Sequence, residues 1–434
     1  MYSTTHLTQN KMGVLLVYLG IGVVALGVYW AIREDFQPYV PTVATLVFLA
    51  YQDIFSLGVL LLSSISTYYL LQLAHRWSFY VGVTIILLAF TFIFFKLEAT
   101  MDMGAFEAAL PLGMSFYLFR LLHYAIEVYK GNLKNINFGT LMSFMFYLPV
   151  IIIGPIIRLS DWSKEMNRRR WNPEYFSNGL ERIIFGLVKI TFLGNYLVNM
   201  KLSLYITSFD NESSWIVNYL ECFQYTANSY LQFAGYSDIA VGFSMLFGIK
   251  ITENFHFPFL ATDISDFWKR WHISLSQWCR DYIFMPIASF TRLPWVAVIS
   301  SMLVLGLWHE LSTRYILWAF FHGLGIVLWN FQDKHFGSKL SPKALSVYSI
   351  VGRIITIHFV IFSFAFVKEE SIMDSLVVLK ILFGFRVMTL YQFLTKYFNK
   401  KVANFLAAII YIFLLLLVFY FLGVDEGDFR YLNY

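Results

Sequence analysis

Met12–Ile32 reads MGVLLVYLGIGVVALGVYWAI, an apolar run with no charged residue. As an α-helix rising 1.5 Å per residue, it reaches about 30 Å, the thickness of a bilayer's hydrocarbon core. Comparable runs follow at Leu57–Leu73, Trp77–Phe95, Pro111–Val128, Phe138–Ile157, Leu180–Val198 and Trp215–Leu231, then at Trp295–His309, Tyr315–Trp329, Val347–Phe366 and Phe405–Leu422. Val43–Tyr51 and Ser375–Phe383 are shorter and suit interfacial or tilted pieces. Backbone polar groups in lipid must be satisfied within the segment, which favours helices over open sheets. The expectation is an all-α polytopic membrane protein with roughly eleven transmembrane helices plus re-entrant or interfacial helices, forming a single integral membrane domain over 1–434.

Composition agrees. Of 434 residues, 58% are hydrophobic and only 14% charged, too few charges to coat a soluble globule of this size. Aromatic residues make up 20%, as suits the membrane–water interface. Two cysteines, Cys222 and Cys279, permit neither a disulfide framework nor a zinc ribbon. The net charge of +5 fits loops at an anionic membrane surface and gives no reason to invoke nucleic acid. The first apolar run lacks a small-residue cleavage site and reads as a retained span. Asp161–Glu174, with Lys164, Arg168, Arg169 and Arg170, reads as a cytoplasmic loop. No internal repeat of the kind found in secondary transporters is visible.

One segment stands apart. Asn254–Pro286, NFHFPFLATDISDFWKRWHISLSQWCRDYIFMP, is too polar to cross lipid and too aromatic for an ordinary loop. On a helix from Asp263 to Tyr282, Trp268, Trp271, His272, Leu275, Trp278, Cys279 and Tyr282 share one face. Asp263, Asp266, Lys269, Arg270, Gln277, Arg280 and Asp281 share the other, with Asp266 and Arg270 spaced for an ion pair.

Ionisable groups at membrane depth are expensive and therefore candidates for function. His272, His309 and His322 form the strongest set. His309 ends an apolar run and is followed by Glu310; His322 lies in the next run, so the two helices should be antiparallel neighbours. A membrane histidine can equally serve as a hydrogen-bond link between helices. That reading is kept for His123 and His358, while His6, His75 and His335 read as exposed. Asp238 either orients a histidine or caps a broken helix, capping being the simpler role beside Ser237. No nucleophile elbow, zincin pair, P-loop or dinucleotide glycine pattern occurs, and no metal site is expected. An imidazole is then the best general base, and direct transfer of an activated acyl group to a hydroxyl is the chemistry it suits.

Five stretches carry a resemblance: Leu110–Gly131, Gly154–Trp162, Phe233–Ile249, Asn254–Phe284 and Gly306–Gly323, with an aromatic tail, Phe429–Tyr434. Together they resemble the membrane-bound O-acyltransferase family, with its core at about 110–330. The resemblance implies a helical funnel through the membrane with the transfer site at its narrow middle. His309 matches the family's catalytic histidine, His272 its second characteristic one and His322 a third. Glu310 departs from the family's usual glycine, and its charge would narrow the site or raise the imidazole's affinity for a proton. Length and motifs resemble bacterial cell-envelope members, and two branches stay open. One, similar to alginate acetylases, moves acetyl groups towards exported polysaccharide, with an extracytoplasmic SGNH-type transferase as a partner. The other, the DltB type, passes D-alanine from an acyl-carrier protein's phosphopantetheine thioester to teichoic acid. The implied donor is accordingly a carrier-protein thioester or acetyl-CoA, with no bound cofactor, and the implied location the bacterial cytoplasmic membrane. His322, Asp238 and Glu310 are expected to support the catalytic pair His309 and His272, and Lys269, Arg270 and Arg280 are the expected donor-binding cations. A non-enzymatic translocator of an acyl group or lipid is the competing class.

Overall fold

The computed structural model describes residues 3–74, 77–101, 110–133, 137–209, 214–335, 342–369 and 371–382. The expected span Phe405–Leu422, the tail Phe429–Tyr434 and His75 lie outside them. Among the described residues the chain is helical with no strand, as an interior without water requires. Five helices are long and apolar enough to cross a membrane: Gly13–Ala31, Ile54–Ala74, Phe79–Ala99, Pro173–Ile206 and Val347–Lys368. Their outward faces carry Val23, Val24, Ile86, Phe90 and Ile355, all exposed. In water such a surface would aggregate; against lipid tails it needs no cover.

The chain divides into two compact units. The first holds residues 1–190 and 232–254. Its helices are α1 (Ser3–Ala31), α2 (Val40–Gln52), α3 (Ile54–Ala74), α4 (Phe79–Met101), α5 (Met114–Tyr129), α6 (Phe138–Met145), α7 (Leu159–Arg168) and the start of α8 (Pro173–Ile206). The end of α9 (Trp215–Leu246) completes it. The expected span Phe138–Ile157 is not one helix. It breaks after Met145, makes a single 3₁₀ turn at Leu148–Val150 and continues irregularly. Irregular backbone is tolerated in an apolar interior only where other groups satisfy it. Arg120 donates to the carbonyls of Phe144 and Met145 at 3.1 and 3.2 Å, Thr45 to Phe146 at 2.7 Å, and the Tyr18 hydroxyl to Leu148 and Pro149 at 3.3 and 3.2 Å. Arg120 is wholly buried, its guanidinium over the Phe144 ring. His123 accepts from the Leu159 amide at 3.2 Å at the start of α7, a structural link of the kind expected of it.

The second unit holds residues 191–231 and 255 onwards. It contains α10 (Ile264–Arg270), α11 (Ile273–Cys279), α12 (Met285–Thr291), α13 (Pro294–His309), α14 (Thr313–His335), α15 (Pro342–Ser363) and α16 (Ala365–Lys368). The expected helix Asp263–Tyr282 is two short helices. Trp271 is extended, and His272 sits in the left-handed region at φ 46° and ψ 49°. The expected faces survive the break: the seven residues assigned to the inner face are all buried, while Lys269 and Arg280 are exposed.

Candidate active site

The site is built where α11, α13 and α14 meet. α13 ends at His309 because Glu310 turns to extended backbone, and Ser312 starts α14 by accepting the Tyr315 amide on its hydroxyl. α13 and α14 then run antiparallel at close range. A Cβ added at Gly306 would lie 2.6 Å from the Tyr315 carbonyl oxygen, and one at Gly323 would lie 2.8 Å from Ile299. Glycine at both places lets the two backbones approach, as small residues do in membrane helix pairs.

His309, part-exposed, lies among rings: stacked on Tyr315 at 5.6 Å between centroids and edge-on to Trp308 and Trp318 at 4.9 and 5.9 Å. His272 approaches from the other side, 6.3 Å from the His309 ring and 5.3 Å from Trp308. The left-handed turn brings it there. Trp271 packs among Tyr230, Phe255, Phe259 and Phe267, and its sequence neighbour is turned into the histidine pair instead. That conformation costs a non-glycine residue about 1–2 kcal/mol. His272 is outside the long apolar helices; burial, reinforced by His309, holds its imidazole well below the ordinary value, so it is neutral at neutral pH.

His322 is fully engaged. The Trp268 indole N–H donates to its Nδ1 at 3.3 Å, and Nε2 lies 2.8 Å from the Ser363 hydroxyl. An indole nitrogen only donates, so Nδ1 accepts and the proton sits on Nε2. Ser363 receives that proton's hydrogen bond and gives its own to the Val360 carbonyl at 2.7 Å. Both nitrogens of this neutral imidazole are thus committed, one of them to the Trp268 indole. Ser363 is 41 residues further on in an apolar run, and nothing in its local sequence marks it. Ser363→Ala leaves the buried Nε2–H without its acceptor, a loss of about 1–3 kcal/mol. We expect a lower melting temperature in detergent together with a changed donor KM; a shift in neither would remove the link.

Trp268 walls a cavity of about 250 Å³ that Lys269, Gln277, Cys279 and Arg280 also line. The three expected donor-binding cations therefore separate. Lys269 and Arg280 face the cavity, although Arg280 also pairs with Asp281 at 2.8 Å. Arg270 pairs with Asp266 at 2.8 Å, the spacing anticipated, and holds α10 together. Glu310 turns to Arg314 at 2.9 Å, which compensates its charge beside the imidazole. Asp238 is not a cap, because α9 continues for two turns beyond it. In the first unit its carboxylate meets Arg182 at 2.9 Å and Lys189, and Arg182 also holds Glu253. The two partners of Asp238 are 56 and 49 residues away, beyond any local pattern. Among the described residues no group of three histidine, cysteine or acidic side chains is placed to hold a metal ion.

Residues 30–367 match the model of the membrane-bound O-acyltransferase family. The chain belongs to this family. Among its relatives, a probable alginate O-acetylase of Pseudomonas fluorescens is 32% identical over 242 residues, 55% of this chain and 47% of the relative. The teichoic acid D-alanyltransferase of Bacillus subtilis is 30% identical over 268 residues, 58% of this chain and 67% of the relative. The peptidoglycan O-acetyltransferase of Helicobacter pylori is 25% identical over 315 residues, 65% of this chain and 58% of the relative. The chain thus spans about half the length of the alginate O-acetylases it matches. All of His272, His309 and His322 fall inside the stretch matched by the membrane-bound O-acyltransferase model.

Proposed function

We propose that the protein moves an acetyl or D-alanyl group from a thioester donor to a hydroxyl of an extracytoplasmic envelope polymer, working in the bacterial cytoplasmic membrane. The observation that carries this reading is the part-exposed His309, 6.3 Å from the buried His272, at the junction of α13 and α14. His309 takes the proton from the acceptor hydroxyl as its oxygen attacks the thioester carbonyl. The new C–O bond forms, the C–S bond breaks, and the departing thiolate receives the proton. His272, neutral and buried, holds the approach to that imidazole, and His322 with Ser363 fixes Trp268 beside the cavity. The donor is a carrier-protein phosphopantetheine thioester or acetyl-CoA. The acceptor is a teichoic acid-like polymer or an exopolysaccharide, reached directly or through an SGNH-type extracytoplasmic transferase. Mass spectrometry of envelope polymers with and without the gene tests this. Unchanged acylation of every polymer would overturn it, and the mass of any lost group, acetyl or D-alanyl, names the branch.

Donor recognition rests on Lys269 and Arg280 at the cavity. Both donor candidates are anionic, and contacts of this sort weaken with salt over a Debye length of about 8 Å. Reversing both residues to glutamate should raise the apparent donor KM while leaving turnover at saturating donor within a few-fold. Affinity that is indifferent to both the substitution and to ionic strength would remove the role.

A further inference from the structure

Three apolar helices of the first unit end together. α1 stops at Ala31 and α8 starts at Pro173, and the Trp30 indole donates to the carbonyl of Leu246, the last residue of α9, at 3.0 Å. Trp30 meets Trp171 edge-on at 5.1 Å, and Trp171 is exposed. Paired tryptophans at the ends of apolar helices mark the depth of lipid headgroups.

At that level α7 lies as a surface helix. Leu159, Trp162 and Met166 are buried beneath it, and Lys164 and Arg168 are exposed above. Arg169 is used internally, on Gln37, the Met166 carbonyl and the Glu34 carbonyl. Lys164, Arg168, Arg170 and Lys250 make no ion pair among the described residues. Between α7 and the segment after α9 is a hollow of about 280 Å³, lined by Arg158, Asp161, Trp162, Lys164, Glu165 and Lys250. Three cations against two carboxylates leave one positive charge, the complement of a single phosphodiester. Arg168 and Arg170 extend the positive field along the rim, and long side chains on an interfacial helix reach phosphate readily.

We propose that this hollow binds the phosphate of an anionic phospholipid headgroup. The hollow belongs to the first unit, and the role proposed for it is to hold that unit at the membrane surface. The occupant is lipid rather than an acidic protein because the tryptophan pair and three helix ends put the hollow at headgroup depth.

The test uses the full-length protein in nanodiscs of phosphatidylcholine with increasing phosphatidylglycerol. The readout is the number of phosphatidylglycerol molecules retained after extraction, by native mass spectrometry. A juxtamembrane cation contributes about 1 kcal/mol to anionic-lipid binding, or about five-fold in affinity. Lys164→Gln with Lys250→Gln should therefore raise the phosphatidylglycerol fraction needed for half-maximal retention about thirty-fold, while Lys130→Gln, on the helix end after α5, should not. The glutamine pair removes charge from exposed positions and leaves Trp162 and Met166 buried, and a melting curve checks that the fold persists. Retention equal to wild type in the folded double variant would overturn the proposal. So would displacement of phosphatidylglycerol by millimolar inorganic phosphate, which would show a free-phosphate site. Binding of an acidic carrier protein that the double variant loses, with lipid retention unchanged, would also overturn it.

Discussion

His309→Ala should lower acyl transfer by about 10²–10⁴-fold, the share a positioned general base contributes, in protein that still purifies folded. The two effects separate because His309 is part-exposed at a helix end, so truncating it opens no enclosed void. Trp308, Tyr315 and Trp318 keep their own packing around the vacancy, and Tyr315 and Trp318 remain in edge contact at 6.1 Å. His309→Gln preserves most of the volume and a hydrogen-bonding end but cannot take up a proton at neutral pH, so it should be nearly as inactive. Single-turnover transfer from a thioester donor, measured beside a melting curve, reads both quantities. Activity within a few-fold of wild type in either variant would remove the base assignment. It would also favour the translocator reading, in which the chemistry belongs to another protein.

The largest effect on stability is expected at Arg120. Arg120→Ala removes the donors to the Phe144 and Met145 carbonyls and leaves a void under the Phe144 ring. Each orphaned buried carbonyl costs about 1–3 kcal/mol, and large-to-alanine truncation of a buried side chain adds about 2 kcal/mol or more. Removing the guanidinium also relieves the cost of burying its charge, which offsets part of this. A net loss of about 3 kcal/mol is therefore expected, enough to lower the yield of folded protein sharply. Arg120→Met keeps much of the volume and lacks the donors. It should be destabilised less than alanine and more than wild type in a detergent melting series. If methionine matched wild type, the broken backbone at 144–149 would not depend on Arg120.

The membrane class and the helical architecture were legible because both follow from run length and charge depletion, which are local. The inner face of 263–282 was legible for the same reason: side chains three and four apart fall together. The break at His272 was not, since a histidine in the left-handed region has no marker like glycine. The interruption of 138–157 was hidden by hydropathy, which scores Phe144–Ile153 as apolar whether or not it is helical, although Pro149, Gly154 and Pro155 were punctuation pointing that way. Asp238 and Glu310 were read from their neighbours in sequence, and the structure gives them ion-pair partners instead, at 56 residues and at one helical turn. In the histidine cluster the residue types were visible, but Ser363 enters by tertiary packing alone.

The carbonyls of 144–149 have one more property, which concerns the order of synthesis. Among the described residues the side chains that cap them, Tyr18, Thr45 and Arg120, all precede them in the chain, and only the local 3₁₀ amides of Val150 and Ile151 come after. Chains fold from the N-terminus as they emerge. A ribosome delivering this protein thus presents the irregular stretch only after its donors have been made, so bare carbonyls need not wait in lipid. For Arg120 the same order carries a cost. It emerges 24 residues before its first acceptor, and a charged residue at the centre of a membrane helix carries an insertion penalty of about 2.5–3.5 kcal/mol. The guanidinium is then satisfied only once α6 has followed α5, so the two helices settle as a pair rather than one after the other.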